Sequence, residues 1–225
     1  MTTRTYAAGM GWLTSERTVR GTAVIQDRSY TRTNGGRLSS VSSPFAGESW
    51  DYGYDARQRL VSATHVGSPA DDQAFTYDTL GRLTFNSRLG EYTYGTAQPH
   101  AVRTAGANAY TYDANGNMLS GGGRTMRWNA ENRLAQVWSA EGTATFGYDG
   151  DGRRVVMSDG AGVHHFVGDD YEVRDVNVPG QTEVTKYLSL GGVLVARKVG
   201  NELRWVHTDH QGSTNVETDA GGAVV

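Results

Sequence analysis

The side chains able to act as ligands, bases or nucleophiles are few, and they gather in a handful of places. His207, Asp209 and His210 fall within one stretch, His207-Thr208-Asp209-His210. Imidazole and carboxylate together suit a metal ion or acid–base work. On a strand His207 and Asp209 share a face while His210 points away, so only a tight turn would reunite them. A metal also needs three or four converging ligands, and His164 or His165 would have to complete the set. The competing reading is a turn in which Asp209, Ser213 and Thr214 bond backbone N–H groups, and the sequence favours it. His164 and His165 are adjacent on one strand, so their rings face opposite ways. Asp71-Asp72 and Asp169-Asp170 sit in Pro- or Gly-containing turns and read as solvated charges. Glycoside cleavage would need two carboxyls held about 5–10 Å apart, and nothing singles out such a pair. There is no nucleophile-elbow pattern. Gly121-Gly122-Gly123 precedes Arg124 without the Lys-Ser/Thr of a phosphate loop. No catalytic, cofactor-binding or metal-ligating residue is therefore assigned, and no cofactor is expected.

Composition narrows the classes further. The 225 residues include no Cys, 30 Gly and four Pro, with a net charge of −3. Disulfides and thiolate metal sites are excluded. The charge offers no attraction to nucleic acid or anionic lipid. Apolar content of 37% is low for a compact domain, but Tyr, Trp and Thr are plentiful, which fits strands with one wet face. No run of 18 apolar residues exists to span a membrane as a helix. Met1-Thr2-Thr3-Arg4-Thr5-Tyr6 lacks the apolar stretch of a secretory signal.

The elements that would carry these residues follow one repeated unit. In Tyr110-Thr111-Tyr112-Asp113-Ala114-Asn115-Gly116-Asn117-Met118-Leu119 the two tyrosines share a strand face. Asp113 to Gly116 form a turn: the carboxylate bonds N–H groups further on, and Gly enters the left-handed region without a Cβ clash. A β-hairpin with a three- to four-residue loop results. The unit returns as Tyr77-Asp78-Thr79-Leu80-Gly81-Arg82-Leu83 and as Tyr148-Asp149-Gly150-Asp151-Gly152-Arg153-Arg154-Val155. Trp128-Asn129-Ala130-Glu131-Asn132-Arg133-Leu134 substitutes Trp for Tyr and Asn at both turn roles. Tyr54-Asp55-Ala56-Arg57-Gln58-Arg59-Leu60 places Gln where Gly stands, which predicts a strained or remodelled turn. Gly36-Arg37-Leu38 keeps only the tail of the unit. The spacing scatters around ~20 residues, the short end of repeat architectures. Period-2 aromatic sets (Trp50/Tyr52/Tyr54, Phe75/Tyr77, Tyr92/Tyr94, Tyr110/Tyr112, Met126/Trp128, Phe146/Tyr148) predict a ladder of rings. Its plain reading is core packing; its alternative is a sugar-stacking surface.

Tyr-Asp-x-x-Gly-Arg-Leu with a Tyr-x-Tyr lead-in resembles the YD repeats of the bacterial Rhs (rearrangement hot spot) family. Tyr92-Thr93-Tyr94-Gly95-Thr96-Ala97-Gln98-Pro99-His100-Ala101-Val102 and His207-Thr208-Asp209-His210-Gln211-Gly212-Ser213-Thr214 strengthen the match, although the family usually has Leu at Gln211. The resemblance implies a hollow shell of spiralling hairpins around a C-terminal toxin domain. It also implies a downstream segment with Asp-Pro-x-Gly motifs and aspartyl self-cleavage, which this sequence does not contain. A shell role carries over; no catalytic residue does.

The expected fold is all-β: consecutive antiparallel β-hairpins forming one long, twisted, curved sheet. The chain 1–225 reads as a single repeat region, with degenerate repeats over 1–49, clear repeats over 50–155 and further hairpins over 156–225. Ala223-Val224-Val225 follow the last turn almost without a return strand, so a longer parent chain is expected. The expected partners are an enclosed toxin domain and the remaining shell, with self-association through open sheet edges unless loops and charges blunt them. Carbohydrate is the alternative partner. The expected setting is secreted or cell-surface, as part of a larger bacterial protein.

Overall fold

A computed structural model describes residues 1–176 and 181–225, with the side chain of Val176 left aside. The first strands are β1 (Thr2–Tyr6), β2 (Leu13–Arg20), β3 (Ala23–Arg32), β4 (Leu38–Ser42), β5 (Trp50–Tyr54), β6 (Leu60–His65), β7 (Gln73–Tyr77) and β8 (Leu83–Asn86). Next come β9 (Gly90–Tyr94), β10 (Val102–Ala105), β11 (Asn108–Ala109), β12 (Thr111–Tyr112), β13 (Met118–Gly121), β14 (Arg124–Trp128), β15 (Leu134–Ser139) and β16 (Gly142–Tyr148). The last are β17 (Arg154–Asp159), β18 (Gly162–Val167), β19 (Tyr171–Val176), β20 (Thr182–Leu190), β21 (Val193–Val199), β22 (Glu202–Thr208) and β23 (Thr214–Thr218). The only helical element among the described residues is a 3-10 turn at Pro69–Asp71. The fold is all-β and built of consecutive hairpins, as the alternating sequence predicts.

Each strand pairs with its sequence neighbour, and no connection crosses over. The strands fall into two sheets, β1 to β11 and β12 to β23, where the sequence suggested one. The break comes at Tyr110, whose N–H leaves the ladder to bond the Arg103 carbonyl. Its ring lies on Gly121, where a Cβ would overlap it. A side chain at Gly121 would therefore dislodge the ring that occupies the break.

Packing divides the chain into two compact units, Met1–Glu91 with Val206–Val225, and Tyr92–Trp205. In the first, Tyr30, Val41, Ala63 and Val206 are buried, together with Glu16, Thr18, Gln26, His65, Thr208 and Thr218. In the second, Ala105, Met126 and Ala196 are buried. Little apolar mass is enclosed, because a sheet of hairpins has no second layer of helices to fill.

Candidate functional site

The repeated turn has one geometry throughout. The residue at its head stands at Thr33, Asp55, Asp78, Asp113, Asn129, Asp149, Asp209 and Asp219. At each, the head N–H bonds the carbonyl four residues on, and the head carbonyl accepts the N–H three residues on. One head oxygen also takes the N–H of the fifth residue, at 2.8–3.2 Å. The fourth residue is left-handed in all: Gly36, Gln58, Gly81, Gly116, Asn132, Gly152, Gly212 and Gly222. Gln58, at φ 63°, keeps the whole hydrogen-bond set, so that turn is not remodelled. It carries instead the left-handed cost of a residue with a Cβ. The Thr33 turn is complete too, although only its tail was legible.

The residues around the turn tie each unit to its neighbour. The Tyr54, Tyr77 and Tyr148 hydroxyls donate to the Leu38, Leu60 and Leu134 carbonyls, each at 2.8 Å. Trp128 Nε1 does the same to Met118. Each acceptor is the apolar residue that closes the preceding turn. Arg59 bonds its own Asp55 at 2.7 Å, donates to the Asp78 carbonyl of the next turn at 3.2 Å, and lies 4.5 Å from the Tyr77 ring centroid. Arg133 lies 5.7 Å from the Tyr148 ring centroid. Tyr54, Tyr77, Trp128 and Tyr148 are half-buried and tie their repeat to the one before it.

The turn carboxylates respond to this bonding. At Asp55 the Arg59 backbone N–H, then its side chain, hold the carboxyl below its ordinary range. At Asp78 burial pushes upward, and the Arg82 hydrogen bonds outweigh it. At Asp113 the Asn117 side-chain amide leads the lowering.

A second cluster lies in the first unit, where Val206–Val225 packs on β2 to β5. Glu16 and Gln26 are each 1% exposed. Arg4 Nη2 reaches Glu16 Oε1 at 2.6 Å, and the Gln26 amide donates to Glu16 Oε2 at 3.0 Å and to the Thr208 carbonyl at 3.1 Å. Arg28 bridges Glu48 at 3.1 Å and Asn215 at 2.7 Å. The His210 ring packs 5.0 Å from that of Tyr30. His207 Nε2 lies 3.0 Å from Thr218 Oγ1. Burial pushes His207 down, helped by the Met1 ammonium and opposed by Glu16. Burial also pushes His210 down; Asp209 opposes it, while Arg32 and Arg28 add to it. Burial raises Tyr30, with Glu16 adding and Arg28 opposing; Arg28 acts on that hydroxyl through its charge, since among the described residues the hydroxyl has no hydrogen-bond partner of normal geometry.

These positions bear on the stretches weighed from sequence. Asp209 caps a turn, accepting from the Gln211 and Ser213 N–H groups, while His207 and His210 go to different neighbours. His164 bonds Glu172 at 2.7 Å, and His165 lies 3.4 Å from Asp175, so the two rings serve opposite faces. Asp71 accepts from the Ser68 hydroxyl, and Asp72 accepts from the His65 N–H. Asp169 and Asp170 are exposed between β18 and β19. Gly122 and Gly123 form the two-residue turn between β13 and β14. Among the described residues, no three His, Asp or Glu side chains are grouped to hold a metal ion. The buried Glu16–Gln26 pair was missed in the sequence. Nothing in it marks Glu16 as anything but an alternating polar position.

Residues 2–224 match the teneurin YD-shell family. Teneurin-1 of Gallus gallus is 26% identical over 203 residues, 87% of this chain and 7% of that protein. Teneurin-1 of Homo sapiens is 27% identical over 183 residues, 78% of this chain and 6% of that protein. The chain thus spans a small fraction of these relatives. Among solved structures, a Tc holotoxin pore of Photorhabdus luminescens superposes with a TM-score of 0.81 at 19% identity, over 100% of this chain and 14% of that one. A TcdB2–TccC3 structure gives 0.78 at 19% identity, again over 100% of this chain and 14% of that one. At this identity the likeness is one of fold.

Proposed function

The chain belongs to the teneurin YD-shell family, and from that premise we propose that it is a non-catalytic wall segment of a larger YD-repeat shell. In this reading the shell encloses a toxin domain of its parent chain and helps deliver it, outside the producing cell, in competition between bacteria. The observation that carries the reading is the tie between successive turns. The Tyr77 and Tyr148 hydroxyls and the Arg59 side chain engage the neighbouring repeat. The toxin structures that share the fold support the setting. The edge of β1, exposed at every residue, suits pairing with further shell strands.

The test uses the parent polypeptide. Its native mass is expected far above 24.3 kDa. Its C-terminal region is expected to survive a protease dose that digests the same region expressed alone. Equal digestion of both would refute enclosure. A carbohydrate-binding module is the second reading, and it rests on the exposed indoles of Trp138 and Trp205 rather than on the ladder tyrosines. Tryptophan fluorescence that shifts with added oligosaccharide, and no longer does so in Trp138→Ala and Trp205→Ala, would favour it.

A further inference from the structure

The first unit holds a cavity of about 470 Å³ between the Thr33 turn and the Asp209 turn. Tyr52, Tyr54, Leu38 and Leu60 give it an apolar wall, while Arg32, Arg37 and His210 face it from the two turns. The charge balance there is incomplete. Asp55 and Asp78 each use one carboxylate oxygen for the turn and the other for the arginine four residues on. Thr33 stands at the head of this turn. Its single oxygen takes the Arg37 N–H at 3.2 Å, and no second oxygen remains for the guanidinium. Arg37 has no side-chain partner among the described residues. Arg32 donates from Nη1 to the Gly36 carbonyl, and its buried Nε has no acceptor among the described residues. The Asp209 carboxylate caps its own turn through Oδ1, and among the described residues neither arginine pairs with its Oδ2.

We propose that this cavity binds the carboxylate of an Asp or Glu side chain from another polypeptide segment, clamped by Arg37 and Arg32 against the tyrosine wall. The sibling turns show the chemistry: an aspartate oxygen 2.6–2.7 Å from the guanidinium of the fifth residue. Here that oxygen would arrive in trans. Charge-assisted bonds to a planar guanidinium are the strong class of hydrogen bond, and the fork geometry discriminates carboxylate from amide. The shell reading names the source, an enclosed or adjoining acidic segment, and the proposal rests on it for that alone. Binding itself is independent of enclosure and measurable on this chain.

The experiment is an NMR titration of the 225-residue protein with acetyl-Gly-Glu-Gly-amide, acetyl-Gly-Gln-Gly-amide and glucuronic acid. The Glu peptide is expected to saturate, shifting Gly36, Arg37 and His210. The Gln peptide and the Arg37→Met protein are each expected to weaken binding by about tenfold or more. Arg37→Lys keeps the charge without the fork and should fall between. Added salt should weaken the Glu peptide, because the cavity is open to solvent. Equal binding of Glu and Gln peptides, or no loss in Arg37→Met with the spectrum otherwise unchanged, would overturn the proposal. Tighter saturation of the same residues by glucuronic acid would replace the peptide with a sugar acid. Failure of protease protection in the parent chain would sink enclosure and leave this result standing.

Discussion

Replacing Tyr77 with Phe tests whether the hydroxyl ties hold the repeats together. The substitution removes one donor, bound at 2.8 Å to the Leu60 carbonyl, and keeps the ring. Arg59 retains a π face 4.5 Å away, so the cation–π contact survives. A net intramolecular hydrogen bond contributes about 0.5–1.5 kcal/mol, and a half-buried carbonyl left without its donor adds to the loss. The expected cost is about 1–2 kcal/mol, a factor of about 5–30 in local opening. With two packing units, whole-chain unfolding dilutes the effect of one tie. Native-state hydrogen exchange reads the effect where it arises, at the Asp78 and Gly81 amides that close the turn. Tyr148→Phe should act likewise on Asp149 and Gly152. Tyr92 supplies the control, since its hydroxyl has no partner among the described residues. If Tyr77→Phe leaves these amides as protected as Tyr92→Phe does, the tie is not structural and the argument for a bonded wall fails.

Two further outcomes follow from the same geometry. Gln58→Gly should raise the thermal midpoint, because relief of about 1–2 kcal/mol of left-handed strain exceeds glycine's entropic cost of about 0.5–1 kcal/mol. Gly81→Gln should lower it, and two shifts of the same sign in calorimetry would contradict the equivalence of the two turns. For pH, the folded protein holds His207 and His210 more neutral than the unfolded chain does. Their contribution is complete above the unfolded value of about 6.5 and is lost as pH falls through the lower folded values. Met1, Glu16, Arg28, Arg32 and Asp209 are the charges that act on these rings. The urea midpoint of the wild type should therefore fall relative to that of His207→Gln/His210→Gln as pH drops below about 6.5, with a constant difference above it; parallel profiles would remove the histidines from the account.

What could be read from sequence was whatever the backbone dictates locally. Asp-x-x-Gly fixes a turn by hydrogen bonds within five residues, so Asp78, Asp113 and Asp149 declare themselves. Asn129 does so by the same chemistry, and Tyr alternation sets the face. The Thr33 turn escaped because its head is no carboxylate, whereas the Asp209 turn was favoured over a metal site and is formed. The packing of Val206–Val225 on β2 to β5 was illegible. It joins Gln26 to Thr208 across a separation no local rule reaches. The same holds for Glu16, whose polar position on an alternating strand gives no hint of burial at 1% exposure.

A wall with so little enclosed apolar mass needs cohesion along the repeat, and the turn supplies it position by position. The second and third residues, such as Ala56-Arg57, Thr79-Leu80 or Gly150-Asp151, take no common side-chain role and vary. The fourth must be left-handed, which restricts it to Gly, Asn or a strained residue. The head carboxylate binds the side chain of the fifth residue at Asp55, Asp78 and Asp113. With Asn129 at the head, Arg133 has no carboxylate four residues back; it lies 3.7 Å from Glu131 and packs against Gly152 of the next turn. With Thr33 at the head, Arg37 finds no such replacement and faces a cavity. A second head oxygen takes the arginine at Asp55 and Asp78, while among the described residues Arg153 leaves that of Asp149 unused. A Thr33→Asp protein makes the point testable: the restored second oxygen should capture Arg37 and weaken the Glu-peptide titration while protecting the Arg37 amide. A Thr33→Asp protein that binds the peptide as before would show that the head residue does not control the arginine.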